Sequence, residues 1–275
     1  MNRTKNFSTV YTSCFSSWHE DVPDLLAAAG LGSRLATVQR VLIKPNLVEP
    51  RPPPITTPVE LVAALAASIH ASYPDLEIII GEGCGSSSNT TWQIFEFLGY
   101  LGLTDLPNVT LMDLNEAPSV RIQNENCRRW PELYLPEIVF DSFLISVPVL
   151  KAHSLAGVTL TMKNMIGLVP PAHYQQSGSW KKNAFHRGIQ EAVFDLNRYR
   201  TPDFTLLDAT VGMQEAHLWG PTCDPPVNRL AASYDPVSID SYGCGLLGIR
   251  WKSIAHIALA HNILGSAEPL AVYEI

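Results

Sequence analysis

The sequence predicts an α/β protein: a mostly parallel sheet covered by helices on both faces, with a ligand pocket along one strand edge. Three observations carry this expectation. Residues 41–80 read as strand, helix, strand, the βαβ unit that implies parallel strands joined by a right-handed crossover. The same alternation of strand-like and helix-like runs continues through the rest of the chain. With 275 residues, 46% hydrophobic and 16% charged, the chain has the length and apolar content for a sizeable core.

Taken in order, residues 41–44 read as a buried strand ended by Pro45. Pro52, Pro53 and Pro54 make residues 50–54 a stiff, extended connector. Thr57 and Pro58 have the chemistry of an N-cap and a first helical residue. Leu61, Leu65, Ile69 and Tyr73 then recur at helical spacing until Pro74. Residues 77–80 are the next strand. Further on, 91–98 reads as a short helix, 109–114 and 143–147 as strands, 184–196 as a helix and 204–207 as a strand. Residues 236–247 and 252–261 read as helices, with Asp235 as a cap, and 270–273 as an edge strand. Pro170, Pro171 and residues 175–182 form the clearest loop, a candidate lid or lobe boundary. With no internal repeat or low-complexity tract, one domain over residues 1–275 is expected.

Composition narrows the function classes. A net charge of −7 argues against general nucleic-acid binding, which needs a basic footprint. No apolar window of about 18 residues is present, so no membrane span is expected. Arg3 and Lys5 are not followed by the apolar run of a secretory signal. The five cysteines are scattered and form no C-x-x-C pair, so neither a zinc ribbon nor a ferredoxin-type cluster is indicated, and reduced thiols in a cytoplasm are the expected setting. The histidines show no metal-ligand spacing, so no metal site is expected, and no motif names a cofactor.

Candidate site residues cluster at strand ends, where open α/β sheets bind ligands. Lys44 and Asn46 follow an apolar run, where Lys44 either holds an anion or caps strand carbonyls, and Asn46 either donates to a ligand or makes an Asx turn. Residues 81–85, Gly-Glu-Gly-Cys-Gly, offer backbone amides at Gly83 and, at Glu82, a general base or a partner for a nearby lysine, or simply a turn with a solvated Glu82. The third glycine of a dinucleotide fingerprint would fall at Ser86, and the Gly-Lys-Ser/Thr of a P-loop is missing. Lys151 and His153 follow the strand ending near Val149, with His153 suited to proton transfer or to a structural hydrogen bond. Lys163 and Asn164 sit ten residues beyond, and if 159–168 is helical then Thr159 and Lys163 share a face. Asp208 ends a strand, where it would pair with a pocket lysine or join a metal site, and Asp240 lies in an apolar helix, where it would bind a lysine. Trp180-Lys181-Lys182 reads as a solvated loop.

The residues Ile43-Lys44-Pro45-Asn46-Leu47, Thr57-Pro58, Gly81-Glu82-Gly83 and Phe95 to Tyr100 resemble a known family, that of domain of unknown function 362. The resemblance continues through 147–153, 157–167, His186, Asp208, Gly220-Pro221 and 235–240, with Lys163-Asn164 its most specific part, and it spans about residues 41–248. Where that family tends to have alanine, this chain has Ser238. Some members carry ferredoxin-type iron–sulfur modules, so the resemblance implies a redox setting. This chain has no cysteine-rich module of that kind.

The resulting expectation is an enzyme binding a small anionic molecule. Lys44, Lys151 and Lys163 would neutralise it, with Thr57, Gly83, Thr159, His186, Asp208 and Asp240 completing the site. Asn46 and Asn164 would orient the anion, and His153 and Glu82 would exchange a proton with it. Isomerisation, lyase chemistry and group transfer all fit. A second expectation is a redox protein working with a separate ferredoxin-like partner through Cys84, and a third is a non-catalytic ligand-binding accessory protein.

Overall fold

The computed structural model describes residues 8–275, so Arg3 and Lys5 lie outside the described residues. Its first half runs β1 (Thr9–Cys14), α1 (Trp18–Ala28), α2 (Leu31–Leu35), β2 (Arg40–Pro45), α3 (Val59–Ser72), β3 (Glu77–Glu82), α4 (Thr91–Phe97) and β4 (Val109–Asp113). A separate antiparallel hairpin, β5 (Ser119–Gln123) and β6 (Glu132–Pro136), follows. Then come β7 (Phe143–Val147), β8 (Val149–His153), β9 (Gly157–Thr159), α5 (Thr161–Asn164), α6 (Pro171–Tyr174) and α7 (Ile189–Tyr199). The chain closes with β10 (Phe204–Met213), β11 (Arg229–Ser233), α8 (Pro236–Leu246), α9 (Ala255–Ala260) and β12 (Ala271–Glu274).

The main sheet has the order β12-β1-β11-β10-β7-β2-β3-β4. From β10 to β4 every neighbouring pair is parallel, whereas β11 runs antiparallel to both β10 and β1, and β12 closes the edge parallel to β1. The period-2 geometry of a strand explains why runs such as Val41-Leu42-Ile43 are apolar throughout. Val41 and Ile43 pack into the core under α1 and α3 with Ile78, Ile80 and Ile145. Leu42, Ile79 and Leu144 face the other way and meet Leu133, Phe185, Ala192 and Leu196. Further along that second face, α7, α8 and α9 cover Leu207, Ala209 and Ala231. Helices thus cover both faces of a mostly parallel sheet.

Several local expectations shift for identifiable reasons. Thr57 does not cap α3: Pro58 holds the N-cap position, and the Thr57 hydroxyl donates to the Val147 carbonyl at 2.7 Å instead. The helix expected at 184–196 begins only at Ile189, because Gly188 at φ +61° breaks it from the 3₁₀ turn Asn183–His186. The 252–261 helix is likewise a 3₁₀ turn, Trp251–Ser253, followed by α9. Residues 149–153 form a strand of their own, β8, which pairs with both β10 and β9. Asp235 does cap α8, accepting from the amides of Val237 and Ser238 at 2.8 and 3.0 Å. Among the described residues no helix is long and apolar enough to cross a membrane.

Candidate functional site

The parallel strands β2 and β3 deliver Lys44 and Glu82 side by side at their C-terminal ends. Both are sealed from solvent, and a buried charge persists only when paired and hydrogen-bonded. Lys44 Nζ donates to Glu82 Oε1 and Oε2 at 2.8 and 3.0 Å, to Asn164 Oδ1 at 3.2 Å and to the Pro45 carbonyl at 3.1 Å. Glu82 also accepts from the amides of Leu47 and Gly83, at 2.9 and 2.8 Å. Burial pulls the Lys44 pKa down while Glu82 pushes it back up. This is a correction of role. Lys44 has no ammonium hydrogen left for an anion, and both Glu82 oxygens are engaged, so neither is the free cation or base expected above. Gly83 and Gly167 serve the same pair: a Cβ on Gly167 would fall on the Glu82 carboxylate and Lys44 Nζ, and one on Gly83 would strike the Gly167 carbonyl.

Asn164 completes this node. Its Oδ1 accepts from Lys44 and Asn46, and its Nδ2 donates to the Lys44 carbonyl at 3.2 Å and Ser146 Oγ at 3.0 Å. Asn46 in turn accepts from Lys151 Nζ at 3.0 Å, and Lys151 donates to the Ile55 carbonyl as well. Lys151 is 1% exposed on β8, and burial first, then the charge of Lys163, lowers its pKa to about 7, partly opposed by Glu49.

Lys163 is different. It sits on α5, whose first amides, Thr161 and Met162, donate to the Asp240 carboxylate at 2.8 and 3.1 Å. Asp240 therefore fixes the helix that presents Lys163 and does not line the cleft, a second correction. Lys163 Nζ makes no hydrogen bond or ion pair among the described residues, and it faces two adjoining hollows. Burial, then Lys44, lowers its pKa to about 8. One hollow is lined by Lys44, Glu82, Gly83 and Lys182; the other, of about 270 Å³, by Lys151, His153, His217 and Trp219. Asn46, Thr159, Lys163, Trp180 and His186 border both, so the two form one cleft at the strand ends. Its only carboxylate among the described residues is Glu82, already neutralised by Lys44.

His153 Nδ1 accepts from the amides of Leu155 and Ala156, both at 3.0 Å, which places its proton on Nε2. Burial and then Lys163 hold its pKa far below the usual imidazole range, so the ring is neutral. It stacks on His217 at a centroid separation of 3.9 Å, and burial followed by Lys163 lowers the pKa of His217 to about 3. His186 is also shifted down, by burial first and then Lys163. Thr159 Oγ1 is buried and has no hydrogen-bond partner among the described residues.

Besides Asp240, two expected members stand apart from the cleft. Thr57 is spent on Val147 and on the Asn46 amide, holding the β2 exit loop. Asp208 accepts from the amide and hydroxyl of Thr210, at 2.9 and 2.7 Å, and burial raises its pKa. Cys84, expected as the contact for a cluster-bearing partner, is fully buried with Lys181 Nζ 3.1 Å from its sulfur. Lys182, read from sequence as solvated, is 4% exposed and donates to the carbonyls of Gly83 and Gly167 at 2.6 and 2.7 Å. Burial, the largest effect, lowers its pKa to about 7. Its signal in the sequence was the apolar company of Trp180, Ala184 and Phe185. His217 and Trp219 had none.

The uncompensated charge on Lys163 has a consequence for stability. Its folded pKa of about 8 lies below the unfolded value near 10.4. Between those values the unfolded chain binds more protons, so the destabilisation caused by Lys163 is full below pH 8 and fades toward pH 10.4. Lys163→Met is expected to be more stable than wild type at pH 7, with the gap closing by about pH 10 to 10.5. Urea midpoints measured for both proteins across that range check this.

The model of the family described as "Domain of unknown function (DUF362)" matches residues 41–245, and the chain belongs to that family. No curated protein matches the chain. Among solved structures it is similar to the lactate racemase apoprotein from Thermoanaerobacterium thermosaccharolyticum, at 15% identity and a TM-score of 0.48. That match covers 89% of this chain and 57% of the other.

Proposed function

We propose that this DUF362 protein is an enzyme that binds a small anionic molecule in the cleft at its strand ends and exchanges a proton with it. One observation carries the reading: among the described residues, Lys163 is an unpaired ammonium in a cleft whose only carboxylate, Glu82, is already neutralised. An unpaired, partly desolvated cation is costly, and an anion removes that cost. Lys151 and Lys182 each have two hydrogen-bond acceptors in the protein and one N–H left over, so both supply further charge to the same ligand. The neutral His153 offers an N–H donor at Nε2. Lys163, with a pKa of about 8, populates both protonation states near neutrality, which suits a group that gives and takes a proton. The Lys44–Glu82 pair shapes the floor and takes no part in the transfer.

The test is a thermal-shift series with phosphate, pyruvate, glyoxylate and succinate, against chloride at equal ionic strength. At least one oxyanion is expected to raise the melting temperature beyond chloride. Affinity should be greatest near pH 6.5 and fall between about pH 7 and 9, because Lys151 and Lys163 lose their charge in that interval. No shift with any of the four, or affinity rising with pH, contradicts the proposal.

A further inference from the structure

We propose that Lys163 is a nucleophilic amine and that the ligand carries a carbonyl beside its anionic group, as a 2-oxo acid does, so that an imine forms on Nζ. The inference rests on the anion-binding reading above and adds a covalent step to it.

The lysines of the cleft divide into two kinds. Lys44 is saturated by four acceptors, and Lys151 and Lys182 are each anchored by two. Those three are pinned by their hydrogen bonds and cannot swing toward a carbon atom. Lys163 has no such tether among the described residues, and it lies where the two hollows meet. Anion binding alone would be served by a pinned ammonium. An untethered one, with its lone pair partly available, is what attack on a carbonyl requires. With burial and Lys44 lowering the pKa to about 8, roughly a tenth of Lys163 is neutral at pH 7, against fewer than one in a thousand for an ordinary lysine.

The surroundings fit the step. Thr159 Oγ1 is buried, borders both hollows and lacks a partner, so it is placed for a ligand oxygen. His153, held as the Nε2–H tautomer, can donate to a carbonyl oxygen and polarise it while remaining neutral. Lys151, with a pKa of about 7, can deliver and recover protons. In the step, neutral Nζ bonds to the carbonyl carbon as the C=O π pair moves to oxygen. That oxygen gains a proton as Nζ loses its first, giving the carbinolamine. Its hydroxyl then takes up a second proton and leaves as water while the nitrogen lone pair forms C=N, and Nζ gives up its remaining proton to balance the one taken up. One carbonyl and one amine become one imine and one water, with no oxidant or reductant.

The experiment treats the full chain with pyruvate or glyoxylate in the presence of borohydride, which reduces an imine to a stable secondary amine, followed by intact mass and peptide mapping. The expected result is one adduct per chain, on Lys163, and its loss in Lys163→Arg. A melting-temperature rise with the same 2-oxo acids but no adduct on Lys163 overturns the imine and leaves anion binding standing. Labelling spread over exposed lysines such as Lys252, without preference for Lys163, overturns it equally. Neither adduct nor thermal shift with any of the oxyanions overturns both.

Discussion

Lys44→Met is expected to destabilise the fold by about 3–5 kcal/mol, the usual cost of removing one partner from a buried ion pair. The reason lies in what remains. Glu82 is 2% exposed, and without Lys44 it keeps only the amides of Leu47 and Gly83 as donors. Asn164 Oδ1 loses a donor at the same time. Replacing Glu82 by Met in the Lys44→Met background should recover part of the loss, since an apolar pair of similar volume leaves no stranded charge. Urea unfolding at pH 7 gives all three values. A loss below about 1 kcal/mol for Lys44→Met would mean that water reaches the pair, in the manner of a surface salt bridge.

Lys163→Met is expected to do the opposite: higher stability at pH 7, and oxyanion binding weakened by roughly 30-fold or more. The asymmetry follows from the partners. No protein hydrogen bond among those described is lost with Lys163, whereas a ligand anion left facing an apolar side chain forfeits a desolvated charge pair, a loss of about 2–5 kcal/mol. Calorimetric titration with whichever oxyanion stabilises the wild type reads the second effect, and the denaturation series reads the first. A destabilised variant that still binds would make Lys163 a structural residue and move the site elsewhere.

How much of this was legible in the sequence depended on how local each signal was. Strands β2, β3 and β7 are buried on both faces and so advertise themselves as unbroken apolar runs. Strands β8 and β9 carry Lys151, His153 and Thr159, and such polar residues hide strands that are held by pairing, β8 with β10 and β9 with β8. That Lys44, Asn46, Lys151 and His153 occupy one region could be inferred from their placement at strand ends, and Lys163 was joined to them as a further lysine in an apolar segment. Their division of labour could not, because it depends on which side chain reaches which acceptor: the sequence leaves Glu82 open as a base, a lysine's partner or a solvated residue until Lys44 and two amides are seen to occupy it. Lys182 had only the apolar company of Trp180, Ala184 and Phe185 to signal its burial, for a related reason. Its loop is drawn onto the Gly-rich segment by the Ser86–Trp180 bridge and by the Lys181 amide bonding the Gly85 carbonyl, contacts between residues about a hundred positions apart. Asp240, apparently an odd charge in an apolar helix, makes sense only once its carboxylate is seen under the first amides of α5.

Central to the proposed function is Lys163, a partly desolvated ammonium with no partner among the described residues, which a bound anion would stabilise. The most direct measurement is a pH titration of the lysine side chains by NMR, with Lys163 assigned through Lys163→Met and the titration repeated with a stabilising oxyanion. The predicted result is a resonance titrating near pH 8 in the free protein, absent from the variant, whose midpoint moves up when the anion is added. A Lys163 that titrates near the ordinary lysine value of about 10.4, unmoved by any oxyanion, would contradict it.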